Sequence, residues 1–176
     1  GKNMSISYST ISGIGFVLQE VSPYMDDKAF ACECLKAMKE SSDVFRSVDD
    51  AAYEFIKSVA NAPDGSTPVN LATSLLDDYG VEPSDLAEFF LLYDKNSVFT
   101  WAYVSDVDSS YDGNIILYYT QTYPWNRREG EPQSVEGVYE QLFDMMKLFL
   151  RDADSPHTKE LFNSYVDDDL LVTFGC

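Results

Sequence analysis

The sequence predicts an α+β fold, a small and mainly antiparallel sheet packed by about five helices, in one globular domain over residues 1–176. Three observations carry that reading. Several segments repeat apolar residues at helical spacing, and two aromatic, β-branched runs flank a stretch of pure turn chemistry. The regular strand–helix alternation of a doubly wound parallel sheet is missing. Apolar residues make up 45% of the chain, with 12 Tyr, 11 Phe and 2 Trp. Disordered chains lack apolar content of this kind, so a packed core is expected despite heavy charge.

Gly1-Lys2-Asn3 ahead of Met4 reads as a cloning remnant. Ser5 to Gln19 reads as one strand bent at Gly13 or Gly15. Asp26 to Ser41 is a helix with Phe30, Cys34, Leu35 and Met38 on one side. Ser47 is read as the cap of a second helix, whose stripe is Val48, Ala52, Phe55, Ile56 and Val59. Asn61 to Thr67 breaks the pattern. Pro68 then suits a first helical turn, and Leu71, Leu75, Leu76 and Tyr79 lead to Gly80 as a stop. A further helix runs from Pro83 to about Tyr93, with Leu86, Phe89, Phe90 and Tyr93 inward.

The period then changes. Val98 to Val104 and Ile115 to Thr120 form a hairpin around Asp106–Asn114, which includes Asp112-Gly113. Trp101, Tyr103 and Tyr118 are expected on a face packed against helices. Pro124 ends the second strand, because proline cannot donate to a central ladder. Ser134 opens the strongest helix, to about Arg151, on a stripe that includes Val135, Val138, Leu142, Phe143 and Met146. A short helix near Thr158–Tyr165 and a last strand, Leu170 to Phe174, complete the chain. The first and last strands are expected to join the hairpin in the sheet.

Charge is the strongest clue to function. The chain carries 30 acids and 12 bases, a net charge of −18. Residues 1–60 hold nine acids and six bases, whereas the 66 residues after them hold ten acids and one base, Lys95. Such a chain repels nucleic acid and membrane surfaces and attracts basic partners. Duplex DNA carries one charge per ~1.7 Å, so 18 charges match roughly 30 Å of duplex, about the width of such a domain. A halophile surface would share this acidity, but ordinary lysines on the first helices rank it below a specific partner. The acids expected to meet that partner are Asp77, Asp78, Glu82, Asp85, Glu88, Asp106, Asp108 and Asp112.

The motifs that would indicate catalysis fail on spacing. Asp106 to Gly113 resembles a calcium loop, but an EF-hand needs Gly at position six and Glu at twelve, where this chain has Tyr111 and Leu117. Asp167-Asp168-Asp169 precedes an apolar strand, where carboxylates can hold Mg²⁺, yet neighbours on a strand alternate faces, and a solvated, edge-guarding loop is the preferred reading. His157, the single histidine, lacks an oriented nucleophile, and Cys32-x-Cys34 lacks a second ligand pair. Gly13-x-Gly15 has no third glycine. Leu71–Tyr93 is a helix pair without the basic second helix that a DNA reader carries. No metal or cofactor is expected. The odd count of Cys32, Cys34 and Cys176 favours a reducing cytoplasm, and no apolar run approaches the ~18 residues of a membrane span.

Gly13-Ile14-Gly15-Phe16 and Leu117-Tyr118-Tyr119-Thr120-Gln121-Thr122-Tyr123-Pro124-Trp125, followed by a polar gap and an amphipathic helix, resemble a loose group of small phage and mobile-element proteins. Size, acidity and the lack of catalytic motifs are similar to anti-CRISPR inhibitors. The resemblance implies an inhibitor in the bacterial cytoplasm that blocks DNA binding or cleavage by a Cas9-type nuclease, whose nucleic acid lies in a positively charged channel. It transfers no site residue. Two alternatives stay open: an immunity protein against a basic nuclease toxin, and a metal-dependent phosphoesterase using Asp106, Asp108 and Asp167–Asp169. The first needs one cognate toxin, the second divalent-dependent turnover.

Overall fold

The computed structural model describes residues 8–92, 99–105, 108–120 and 130–175. Tyr93, Lys95, Val98, Asp106, Tyr123-Pro124-Trp125 and Cys176, on which parts of the sequence reading rest, lie outside them. The fold is α+β. Its elements are β1 (Tyr8–Val17), α1 (Leu18–Val21), α2 (Asp27–Glu40), α3 (Asp50–Ala60), α4 (Leu71–Asp77), α5 (Pro83–Leu91), β2 (Thr100–Tyr103), β3 (Ile115–Tyr119), α6 (Val135–Met146), α7 (Pro156–Ser164) and β4 (Asp167–Gly175). The four strands form one antiparallel sheet in the order β2-β3-β1-β4.

Short polar side chains start most helices by accepting an orphan backbone N–H. Asp26 accepts from Ala29, Asp49 from Ala52, Asn70 from Thr73, Ser134 from Gly137 and Ser155 from His157. Two of these caps correct the sequence reading. Asp49 rather than Ser47 caps α3, and Asn70, in the left-handed region at φ 50°, replaces Pro68 as the start of α4. α6 gives way at Lys147 to a 3-10 turn, Lys147–Phe149, instead of continuing to Arg151. Gly80, at φ +65°, turns the chain between α4 and α5 as the sequence suggests.

The helices cover one face of the sheet. Ile14, Phe16, Ile115, Leu117 and Tyr119 point into a core shared with Phe30, Ile56, Leu75, Leu86, Leu142 and Phe162. At its centre Phe30, Phe89, Phe90 and Phe149 are fully buried, with Phe30 stacked on Phe90 at 5.6 Å and edge-on to Phe89 at 5.2 Å. The other face carries a smaller cluster of Val17, Ala102, Val104, Ile116 and Leu170, against which Tyr111 and Tyr118 pack. This divides the expected aromatic face. Trp101 stands opposite Leu117 and packs partly on the helical core, Tyr118 points to the far side, and Tyr103 is exposed. Val135, in the first turn of α6, is also exposed rather than inward.

β1 lies between β3 and β4 and comes unusually close to β3. A Cβ at Gly13 would stand 2.2 Å from the Tyr119 carbonyl oxygen, and one at Gly15 would stand 2.3 Å from that of Leu117. The β1–β4 register shifts between the same glycines, so the expected bend is a bulge.

Candidate acidic interface

The sequence places eight acids in two sets, one on the helices and one in the hairpin. α4 ends at Asp77, Asp78 is its C-terminal cap residue, and both are exposed. Acids there oppose the negative end of the helix dipole, a cost of about 0.3–1 kcal/mol each. Glu82 follows the Gly80 turn and is exposed, without a side-chain capping bond. A shallow cleft of about 230 Å³ lies between this turn and the hairpin, lined by Asp77, Gly80, Glu82, Pro83, Tyr103 and Gly113. The fold therefore sets Tyr103 and Gly113 of the hairpin across this cleft from the α4–α5 turn, and Asp108 and Asp112 are exposed nearby in sequence.

The hairpin is clamped from its other side. Ile115 N–H donates to Gln19 Oε1 at 2.9 Å, and Gln19 Nε2 donates to the Gly113 carbonyl at 3.3 Å. Beyond Gln19, a second cleft of about 310 Å³ is lined by Glu20, Tyr111, Tyr165, Asp167 and Asp168. Acids thus line clefts that both touch the hairpin, Asp77 and Glu82 around the α4–α5 turn and Glu20, Asp167 and Asp168 at the start of β4. With the exposed Asp78 and Asp112 they make up an acidic band. Asp77, Asp78, Glu82, Asp112, Glu20, Asp167 and Asp168 make no ion pair with a described residue; the ion pairs of the described residues use Asp43, Glu54, Asp64, Glu140 and Asp144.

Three members of the sequence set stand apart. Asp85 is buried, and its carboxylate accepts from both the backbone N–H and the hydroxyl of Ser47, whose Oγ in turn accepts from Glu82 N at 2.9 Å. This corrects its assignment to the partner surface: the carboxylate is buried and ties the 42–47 turn to α5 instead of facing solvent. Its neighbours explain the placement, since Asp85 shares the inward side of α5 with Leu86 and Phe89. Glu88 is exposed but lies near Arg46, whose guanidinium pKa is raised by Asp43 first and by Asp85 and Glu88 less. Asp106 falls outside the described residues.

Sequence reasoning missed Glu20 and set Asp167 and Asp168 aside as a metal set. β1 hands over to α1 at Leu18, which puts Glu20 beside the start of β4. The carboxylates of Asp167–Asp169 do not gather: Asp167 Oδ1 accepts from the Asp169 backbone N–H at 2.9 Å. Among the described residues no three His, Cys, Asp or Glu side chains are placed to hold a metal ion. His157 is exposed in the first turn of α7, and Cys32 and Cys34 face apart, one exposed and one buried.

Tyrosines lie beside the band. Burial raises the pKa of Tyr111, helped by the charges of Asp167 and Glu20, and burial likewise raises Tyr118. The same cause, followed by Asp168 and Asp167, raises Tyr139. The folded state therefore holds these phenol protons more tightly than the unfolded chain, where tyrosine titrates near ~10. The resulting stability is complete below about pH 10 and lost as pH rises through the raised values. Urea denaturation across this range should show stability falling above about pH 10, and Tyr118→Phe should flatten the fall. An unchanged slope in that variant would remove Tyr118 as a cause.

Among the described residues, no helix is long and apolar enough to cross a membrane. No family model matches the chain, and no curated protein or solved structure matches it either.

Proposed function

We propose that this protein is an inhibitor that lays its acidic band on the basic surface of a nucleic-acid-handling protein, a site that otherwise takes a phosphate backbone. It acts without catalysis, in the cytoplasm of a bacterial host, as an anti-CRISPR protein that blocks DNA binding or cleavage by a Cas9-type nuclease. The observation that supports this is the set of exposed acids Glu20, Asp77, Asp78, Glu82, Asp112, Asp167 and Asp168, none of them ion-paired with a described residue, at a net charge of −18. Asp77 and Asp78 also sit at a helix end where their charge opposes folding, a local cost that function would explain.

Rim charges set association rate and salt dependence more than dissociation. Reversing Asp77, Asp78, Glu82 and Asp112 to Lys should slow association with a Cas9-type effector by about tenfold or more and flatten its salt dependence. Reversing Glu40, Asp43, Glu54 and Asp144 makes the same change in net charge away from the band and should do much less. Equal inhibition by both quadruple variants, each with native circular dichroism, would reject the band as the contact. If the wild type inhibits no such effector and neutralises a basic nuclease toxin instead, the immunity reading replaces this one.

A further inference from the structure

We infer that the cleft beneath residues 61–70 binds a monocarboxylate attached to an apolar body, at a site that shares no lining residue with the acidic band. The cleft has a volume of about 480 Å³, within the range of small-molecule sites. Its walls include Met25, Phe55, Val59, Pro63, Pro68 and Val69, and its cationic groups are Lys28 and Arg151.

Arg151 is the informative residue. Its guanidinium donates to the Met25 carbonyl at 2.9 Å, which uses one of five N–H groups. Lys28, Arg46, Lys57, Lys147 and Lys159 each hold a carboxylate. Lys36 and Lys39 hold none among the described residues but are exposed. Arg151 is the partly buried cation left without one among the described residues, in a chain with 30 acids. Partial burial of an unpaired charge is costly, and an anion against the free N–H groups relieves it.

Two acids of the lining are held by backbone N–H groups, and the third, Asp64, pairs with Lys28 at 3.2 Å, which leaves Arg151 as the unpaired cation of the cleft among the described residues. Asp27 accepts from Val69 N at 2.7 Å and from Leu71 N at 2.9 Å, while Asp26 caps Ala29 at 3.1 Å. Lys28 donates to the Ala62 carbonyl at 3.0 Å, so both ends of the covering segment are held by the first turn of α2. The cleft is therefore preformed, which reduces the ordering cost of binding. Charge selects the ligand. Asp26, Asp27 and Asp64 also line the cleft, so a dianion such as phosphate meets about twice the repulsion that a single carboxylate does, and the apolar walls favour an aliphatic body. A free aliphatic acid and the C-terminal residue of an apolar peptide both present this chemistry.

The test uses the full chain with octanoate and octanamide, and with an N-acetylated leucine tripeptide as free acid and as amide. Ligand-observed NMR titration and thermal shift supply the readouts. At least one acid should bind about tenfold or more tightly than its own amide, equivalent to about 1.4 kcal/mol. Which acid does so identifies the source. Arg151→Gln keeps a donor for the Met25 carbonyl and should erase the preference. Equal binding of acid and amide, no binding of any probe, stronger binding of inorganic phosphate, or an unchanged preference in Arg151→Gln would each overturn the inference. The acid–amide comparison on the wild type decides the matter if that variant fails to fold.

Discussion

Replacing Phe30 with alanine is expected to destabilise the protein by about 3–5 kcal/mol, the range for deleting a fully buried aromatic ring. Phe30 has no exposure and contacts three other buried rings, lying 5.2 Å from Phe89, 5.6 Å from Phe90 and 5.9 Å from Phe149. These partners come from α5 and from the 3-10 turn after α6, so they cannot follow the backbone of α2 inward to fill the void. A loss of that size takes much of the ~5–15 kcal/mol that holds a typical domain together. Urea denaturation gives the number, and a loss below about 1 kcal/mol would show that the four rings do not form the centre of the core.

Gly15→Ala should also be damaging, for the opposite reason, an excess of matter. The added methyl would stand 2.3 Å from the Leu117 carbonyl oxygen, 2.7 Å from Tyr118 Cβ and 2.8 Å from Tyr118 Cα. Two of these are backbone atoms of the neighbouring strand, and β1 is also paired on its other side, where Gly15 faces Asp167. Relief requires β1 to separate from β3, and overpacking of this kind costs about 1–3 kcal/mol or more. Thermal unfolding measures it. A melting temperature equal to wild type would mean that the strands part freely at this point.

The helices were legible because they announce themselves twice, by apolar spacing and by a polar residue at the start. Asp26, Ser134 and Pro83 mark real helix starts. Ser47 misled because its hydroxyl is engaged by Asp85 and Glu82 N, which leaves Asp49 to cap α3. Pro68 misled because the left-handed Asn70, two residues on, starts α4. The acids were harder. Counting charge treats every carboxylate as solvated, yet the inward spacing of Asp85 with Phe89 was already visible in the sequence. No local pattern could have shown Glu20 near Asp167, because their proximity depends on β1 pairing with β4 across nearly the whole chain. Tyr118 was assigned to the wrong face because the turn between Val104 and Ile115 hides the parity of the register.

The strand order β2-β3-β1-β4 also has a consequence for the order of assembly. β2 and β3 meet through a local turn and can pair early, as can the helices between β1 and β2. β1 has no such neighbour: its partners are β3 and β4, and each pairing closes a long loop whose entropy must be met before any contact rewards it. The sheet therefore completes late, and until it does the glycine-bearing β1 leaves both edges open to other chains. Slow folding and concentration-dependent losses on refolding follow from the topology alone, whatever the stability of the finished core.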